Sequence, residues 1–143
     1  LNVEGLVSVC HKLGTTHTGA LIVIERSVPL DFVIATGDKM NLELSGPIIE
    51  SIFYKNSPLH DGAIVIRGNT IVATRVILPV AAEDTLPKRY GLRHRAAVSI
   101  TEKTDATALV VSEETGHISY FKNGNFVRFA NEEELIKMIQ EDN

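Results

Sequence analysis

Ala63–Leu78 reads AIVIRGNTIVATRVIL. Two β-branched runs, Ala63–Arg67 and Thr70–Leu78, flank Gly68-Asn69, a pair suited to a two-residue hairpin turn. Pro79 lacks a backbone donor and stops the second run. A hairpin imposes antiparallel pairing, so the sheet that holds it is not wholly parallel. A second hairpin is expected where ISYF (Ile118–Phe121) and NFVRF (Asn125–Phe129) meet across Lys122–Gly124.

Outward from the hairpins, strand and helix patterns alternate. Residues 3–13 form an amphipathic helix in which Val3, Leu6, Val7, Cys10 and Leu13 share a face, so Cys10 reads as core. ALIVIE (Ala20–Glu25) is a short continuous apolar run, as in a buried strand, and Thr107–Val111 is another. Val33–Ala35 reads as a weak edge strand. In LSGPIIESIFYKN, Ser45 caps a helix, Pro47 fits its first turn, and Asn56 and Pro58 end it. A helix starts near Arg93, and a last one begins at Asn131, with Glu134 three residues on. Alternation with two hairpins predicts a single α/β domain over residues 1–143: a central mixed β-sheet with helices on both faces.

The chain's 143 residues suit one core, and 44% hydrophobic and 22% charged residues are ordinary for a globular domain. A net charge of −4 argues against non-specific nucleic-acid binding. One cysteine excludes an internal disulfide and a cysteine-rich zinc site. No run approaches the roughly 20 apolar residues of a membrane helix. Leu1 in place of Met reads as a fragment whose upstream part is not seen.

Three stretches carry chemistry. The first is LHDGA (Leu59–Ala63), at the lip of a buried strand. Gly62 allows close approach of a ligand to the backbone. Asp61 can take a proton or bind a cation, and His60 adds a nitrogen ligand that suits Mn or Co better than Mg. A plain turn closed by Asp-Gly also accounts for these residues. The second is KRYGLRHRAAV, where Lys88, Arg89, Arg93, His94 and Arg95 concentrate positive charge at a helix N-terminus. Free N–H groups and guanidinium forks there favour a phosphate, whereas an ordinary helix start prefers acidic residues. The third is VSEETG (Val111–Gly116): Ser112 follows a buried strand, and Glu113 and Glu114 stand beside it as candidate metal helpers. A solvated turn closed by Gly116 is the other reading. His11, His17 and His117 read as surface or helix-end residues. No Walker loop, GxGxxG or GxSxG occurs, so a nucleotide would need a different cradle.

Taken together, HDGA (His60–Ala63), RHRAA (Arg93–Ala97) and VSEETG, with GALIVIER (Gly19–Arg26) ahead and KNG (Lys122–Gly124) behind, resemble the diadenylate cyclase catalytic domain, in its membrane-anchored bacterial CdaA type. The resemblance implies a nucleotidyltransferase that converts two ATP to cyclic di-AMP, a second messenger, and two pyrophosphates at a face-to-face homodimer. It implies a divalent metal cofactor (Mn²⁺, Mg²⁺ or Co²⁺), room for regulatory protein partners, and a place at the cytoplasmic face of a bacterial membrane. By carry-over, Asp61 acts on the 3′-hydroxyl, and Gly62 and Ala63 shape the nucleotide pocket. His60 and Glu114 meet the metal. Arg93, His94 and Arg95 hold phosphates, Ser112 donates a hydroxyl, and Leu78 packs near the adenine. Leu92 stands where the family often has threonine, and Ile77 where some relatives have tyrosine. Two other readings stay open: a nucleotide sensor without turnover on the same fold, and an interaction domain whose charged patches meet a protein.

Overall fold

The computed structural model describes residues 1–80, 87 and 90–143. The predicted loop from Val80 to Gly91 lies largely outside the described residues, and so do Lys88 and Arg89 of the basic cluster. In chain order the elements are α1 (Val3–Thr15), β1 (Ala20–Ile24), α2 (Asp31–Ile34), β2 (Asp38–Glu43), α3 (Gly46–Phe53), β3 (Ala63–Arg67), β4 (Thr70–Val76), α4 (Leu92–Lys103), β5 (Thr107–Val111), β6 (Ile118–Lys122), β7 (Asn125–Val127) and α5 (Glu132–Asp142).

The strands form one seven-stranded sheet in the order β2-β4-β3-β1-β5-β6-β7. Among the described residues only β1 and β3 pair in parallel; the other neighbours are antiparallel. Successive side chains on a strand point to opposite faces, and both faces are covered, so the central strands are apolar throughout. Ile22 and Ile24 of β1, Ile64 and Ile66 of β3, and Leu109 and Val111 of β5 meet α1, α3 and α5 on one face. Leu21 and Val23, Ala63 and Val65, and Ala108 and Val110 meet α2 and α4 on the other. The mixed sheet and its two helical layers follow the pattern expected from the sequence.

Local signals explain the helix ends. The Ser45 hydroxyl accepts from Ile48 N–H at 3.3 Å with Pro47 in the first turn, and Asn131 Oδ1 accepts from Glu134 N–H at 2.9 Å. Three details correct the sequence reading. Val33–Ala35 is not an edge strand: Val33 and Ile34 belong to the short helix α2, and the edge is β2, whose alternating residues 38–43 were not recognised. The apolar pair of α2 seats on the sheet as a helical turn, for which three residues carry no distinguishing period. Helix α3 ends at Phe53, ahead of Asn56 and Pro58, and β4 ends at Val76, two residues before Leu78.

Strand β4 is irregular where it leaves the sheet. Ala63 faces Val76 but Val65 faces Ala73, so β4 spends one extra residue across the same span. Arg75 takes up the bulge with φ of 52°, and its guanidinium bonds Asp38 on the edge strand at 2.5 Å.

Candidate active site

Sheet topology brings distant residues to one end. Strand β3 runs parallel to β1, while β4 and β5 run against them, so the starts of β1 and β3 lie beside the finishes of β4 and β5. Gly19, His60-Asp61-Gly62, Leu78 and Ser112 therefore gather around one cleft of about 1390 Å³, with the N-terminus of α4 on its wall. In wholly parallel sheets ligands sit at the carboxyl ends of the strands. Here two starts and two finishes share the crevice, which is why both the lip of β3 and the turn after β5 reach it.

At the β3 lip, Gly62 has φ of +80°, and a Cβ there would sit 2.7 Å from the Val76 carbonyl oxygen. Only glycine both takes this conformation readily and lets the β4 bulge close behind it. Asp61 is thereby turned outward: its side chain is 84% exposed, with Oδ1 3.2 Å from His60 Nε2. His60 Nδ1 lies 2.8 Å from the Ser57 carbonyl oxygen. A carbonyl only accepts, so Nδ1 carries a proton and the other ring nitrogen, Nε2, is the one turned towards the carboxylate. At this spacing Nε2, once without a proton, and Oδ1 would fit neighbouring ligands of one divalent cation, each bonding at about 2.1 Å. Among the described residues no three His, Cys, Asp or Glu side chains form a metal-holding group. Glu114 lines the same cleft but is not clustered with this pair.

Across the cleft, α4 starts at Leu92 with Gly91 as N-cap, no side chain capping it and no acidic residue in its first turn. Its first N–H groups and the positive end of its dipole face the opening without an internal acceptor. Arg93 lies 28% exposed in this turn, Nη1 3.8 Å from Glu113 Oε2. His94 lines the wall but is only 7% exposed. Its ring centroid is 5.0 Å from that of Tyr90 and 6.2 Å from that of Phe121. Burial, and then the charge of Arg93, holds His94 below the usual imidazole range. His94 thus sits here as a neutral ring. Arg95, one residue further round the helix, is half-buried and is not among the cleft-lining residues, and Ala63 is fully buried within β3.

The turn after β5 is tightly tied. Ser112 Oγ accepts from the N–H groups of Glu114 and Thr115, each at 3.2 Å, which leaves its own proton to donate. Gly116 N–H closes the turn on the Ser112 carbonyl at 2.8 Å. The turn packs against the end of α1: a Cβ on Gly14 would sit 2.3 Å from the Gly116 carbonyl oxygen. Sequence reasoning missed Gly14, since a lone glycine near a helix end gives no sign of which backbone it touches. It missed Gly19 for the same reason. His17 and His117 are exposed, as expected, and both line the cleft mouth, whereas exposed His11 pairs with Glu132 at 2.5 Å, away from it. Leu78 is 7% exposed within the cleft, and Ile77 and Leu92 stand 69% and 73% exposed at its rim.

The chain resembles the diadenylate cyclase CdaS of Bacillus thuringiensis, with 44% identity over 119 residues, 83% of this chain and 59% of that protein. It is 41% identical over 137 residues to a diadenylate cyclase of Listeria monocytogenes, 96% of this chain and 50% of that protein. The chain thus spans between half and three fifths of the length of these relatives. The crystal structure of a double cysteine mutant of DacA from Staphylococcus aureus superposes with a TM-score of 0.93 at 36% identity, over 98% of this chain and 93% of that one. Residues 7–126 match the family described as DAC, DisA bacterial checkpoint controller nucleotide-binding, and with the same fold and these relatives the chain belongs to that family.

Proposed function

We propose that the chain is the catalytic domain of a diadenylate cyclase, condensing two ATP molecules into cyclic di-AMP and two pyrophosphates across a homodimer. The observation that carries the reading is the shared cleft: an exposed carboxylate at a rigid strand lip faces an uncapped helix start bearing an arginine. That pairing answers what phosphoryl transfer asks for, a poised hydroxyl and stabilised phosphate charge. Asp61 orients the 3′-hydroxyl and takes its proton as the oxygen attacks the α-phosphorus of the opposite nucleotide. The new O–P bond forms as the bond to the β-phosphate oxygen breaks, and pyrophosphate leaves with that electron pair. Two such transfers close the ring.

Arg93 and the first N–H groups of α4 hold the phosphates, Ser112 donates its hydroxyl, Gly62 keeps the pocket floor free of a side chain, and Ala63, buried beneath it in β3, supports that floor from the core. His94, neutral and packed, serves as a wall and hydrogen-bonding ring beside the phosphates, whereas Arg95, outside the cleft lining, has no direct phosphate role. Leu78 offers an apolar surface to the adenine. His60 and Asp61 would hold a divalent cation (Mn²⁺, Mg²⁺ or Co²⁺), which would neutralise triphosphate charge, while Glu114 lines the same cleft without joining that pair. Tyr54, Ile77, Val80 and Leu92 stand 57%, 69%, 40% and 73% exposed at the cleft mouth, an apolar rim that a second subunit would cover. The motif resemblance further supports the membrane-anchored type, with this domain at the cytoplasmic face of a bacterial membrane and regulatory proteins as partners. Among the described residues no helix is long and apolar enough to cross a membrane, so the anchor would belong to another segment.

The test is incubation of the purified chain with ATP and Mn²⁺ or Mg²⁺, followed by chromatography. Cyclic di-AMP is expected, and Asp61→Asn should lower its rate by about 100-fold or more while ATP still binds. ATP bound yet unchanged across metals and protein concentrations would select the sensor reading instead.

A further inference from the structure

We propose that Gly19 is a positioning residue for the phosphate site: its missing side chain is the seat of the Arg93 guanidinium. Gly19 is buried in the connection between α1 and β1, far from Arg93 in sequence. A Cβ built on it would lie 2.6 Å from Nη1, 2.7 Å from Cζ and 3.1 Å from Nη2 of Arg93. Three guanidinium atoms at nearly equal distance mean that the planar group lies across the glycine. Backbone conformation gives no separate reason for glycine here, because Gly19 is not among the positive-φ residues. The three atoms nearest to such a methyl group all belong to the arginine.

This distinguishes Gly19 from Gly14 and Gly62, where an added Cβ meets rigid backbone. At Gly19 the obstacle is the free end of a long side chain, which yields before the fold does. A methyl there would push the guanidinium about 1 Å outward to ordinary contact distance. Such a displacement is costly where charge must meet a phosphate at fixed geometry. Glu113, 3.8 Å away and 64% exposed, is too loose and too wet to hold the group in its place.

The inference rests on the reading of Arg93 as a phosphate ligand, and the experiment separates the two. Binding of α,β-methylene ATP and of adenosine is measured by calorimetry for the parent chain, Gly19→Ala, Arg93→Ala and the double variant, with melting temperatures alongside. Arg93→Ala should weaken the triphosphate about tenfold and leave adenosine unchanged. Gly19→Ala should melt within a few degrees of the parent, keep its adenosine affinity and weaken the triphosphate about fivefold or more. The double variant should bind the triphosphate no worse than Arg93→Ala, since the seat has nothing left to seat. Multiplied losses in the double variant, an unaffected Gly19→Ala, or a Gly19→Ala chain that no longer folds would each overturn the proposal while leaving the Arg93 reading intact. An Arg93→Ala chain with full triphosphate affinity would overturn both.

Discussion

At the scale of single residues, burial sets chemistry that the sequence only hints at. Cys10 faces the core of α1, and its thiol is pushed up to about 12 by desolvation and then by the charge of Glu132. It should resist alkylation by iodoacetamide at pH 8 in the folded chain and react at once in denaturant; rapid labelling of folded protein would contradict this. The sign of its pH effect follows. Above about pH 9 the unfolded chain releases the thiol proton and the folded one keeps it, so the native state binds more protons. Stability then falls as pH rises, by about 1.4 kcal/mol per unit from this one group, up to the folded value. Tyr120 adds to the same limb, raised by burial and by its bond to Asp142. His94 acts on the acid side: below about pH 6.5 the unfolded chain takes up a proton that the buried ring refuses, and stability drops. Urea titrations across pH should show both limbs, with the alkaline one shallower in Cys10→Ala. Residue type and spacing made Cys10 legible as core, but the burial of His94 between Tyr90 and Phe121 was not, because those rings meet only through the tertiary fold.

At the scale of elements, two substitutions separate local from imposed structure. Ser45→Ala removes one cap and should cost about 1 kcal/mol in a denaturant melt, with nucleotide binding unchanged. Gly62→Ala meets the Val76 carbonyl and the Arg75 backbone and forces a left-handed φ on alanine. It should cost about 2 kcal/mol or more and abolish turnover; a stable, active variant would show that the lip is not held by the β4 bulge. The caps and the turn at Gly68-Asn69 were readable because each rests on a few neighbouring residues. The bulge at Arg75 was not: TRV looks like ordinary strand, and only pairing with β3 shows the extra residue. The candidate lip was therefore visible as HDG, while the reason for its rigidity lay in another strand.

At the scale of the whole molecule, a mixed sheet could be inferred, but not its order, since alternation says nothing about which strand lies beside which. That order is what joins the lip of β3 to the turn after β5 and the start of α4. If the rim of Tyr54, Ile77, Val80 and Leu92 meets a second copy, cyclase activity per subunit should rise with protein concentration and level off as dimers saturate. A flat profile down to concentrations where sedimentation shows only monomer would contradict a two-subunit site. The strand order has one more consequence. Strand β1 is made before either of its neighbours in the sheet, β3 and β5, the latter some eighty-five residues behind it. Until that late segment arrives, one hydrogen-bonding edge of the central ribbon stays open, a template for unwanted association. Translation products released at Lys103 should therefore pellet, whereas those reaching Asp142 stay dispersed, which makes the timing of synthesis itself part of how this molecule avoids clumping.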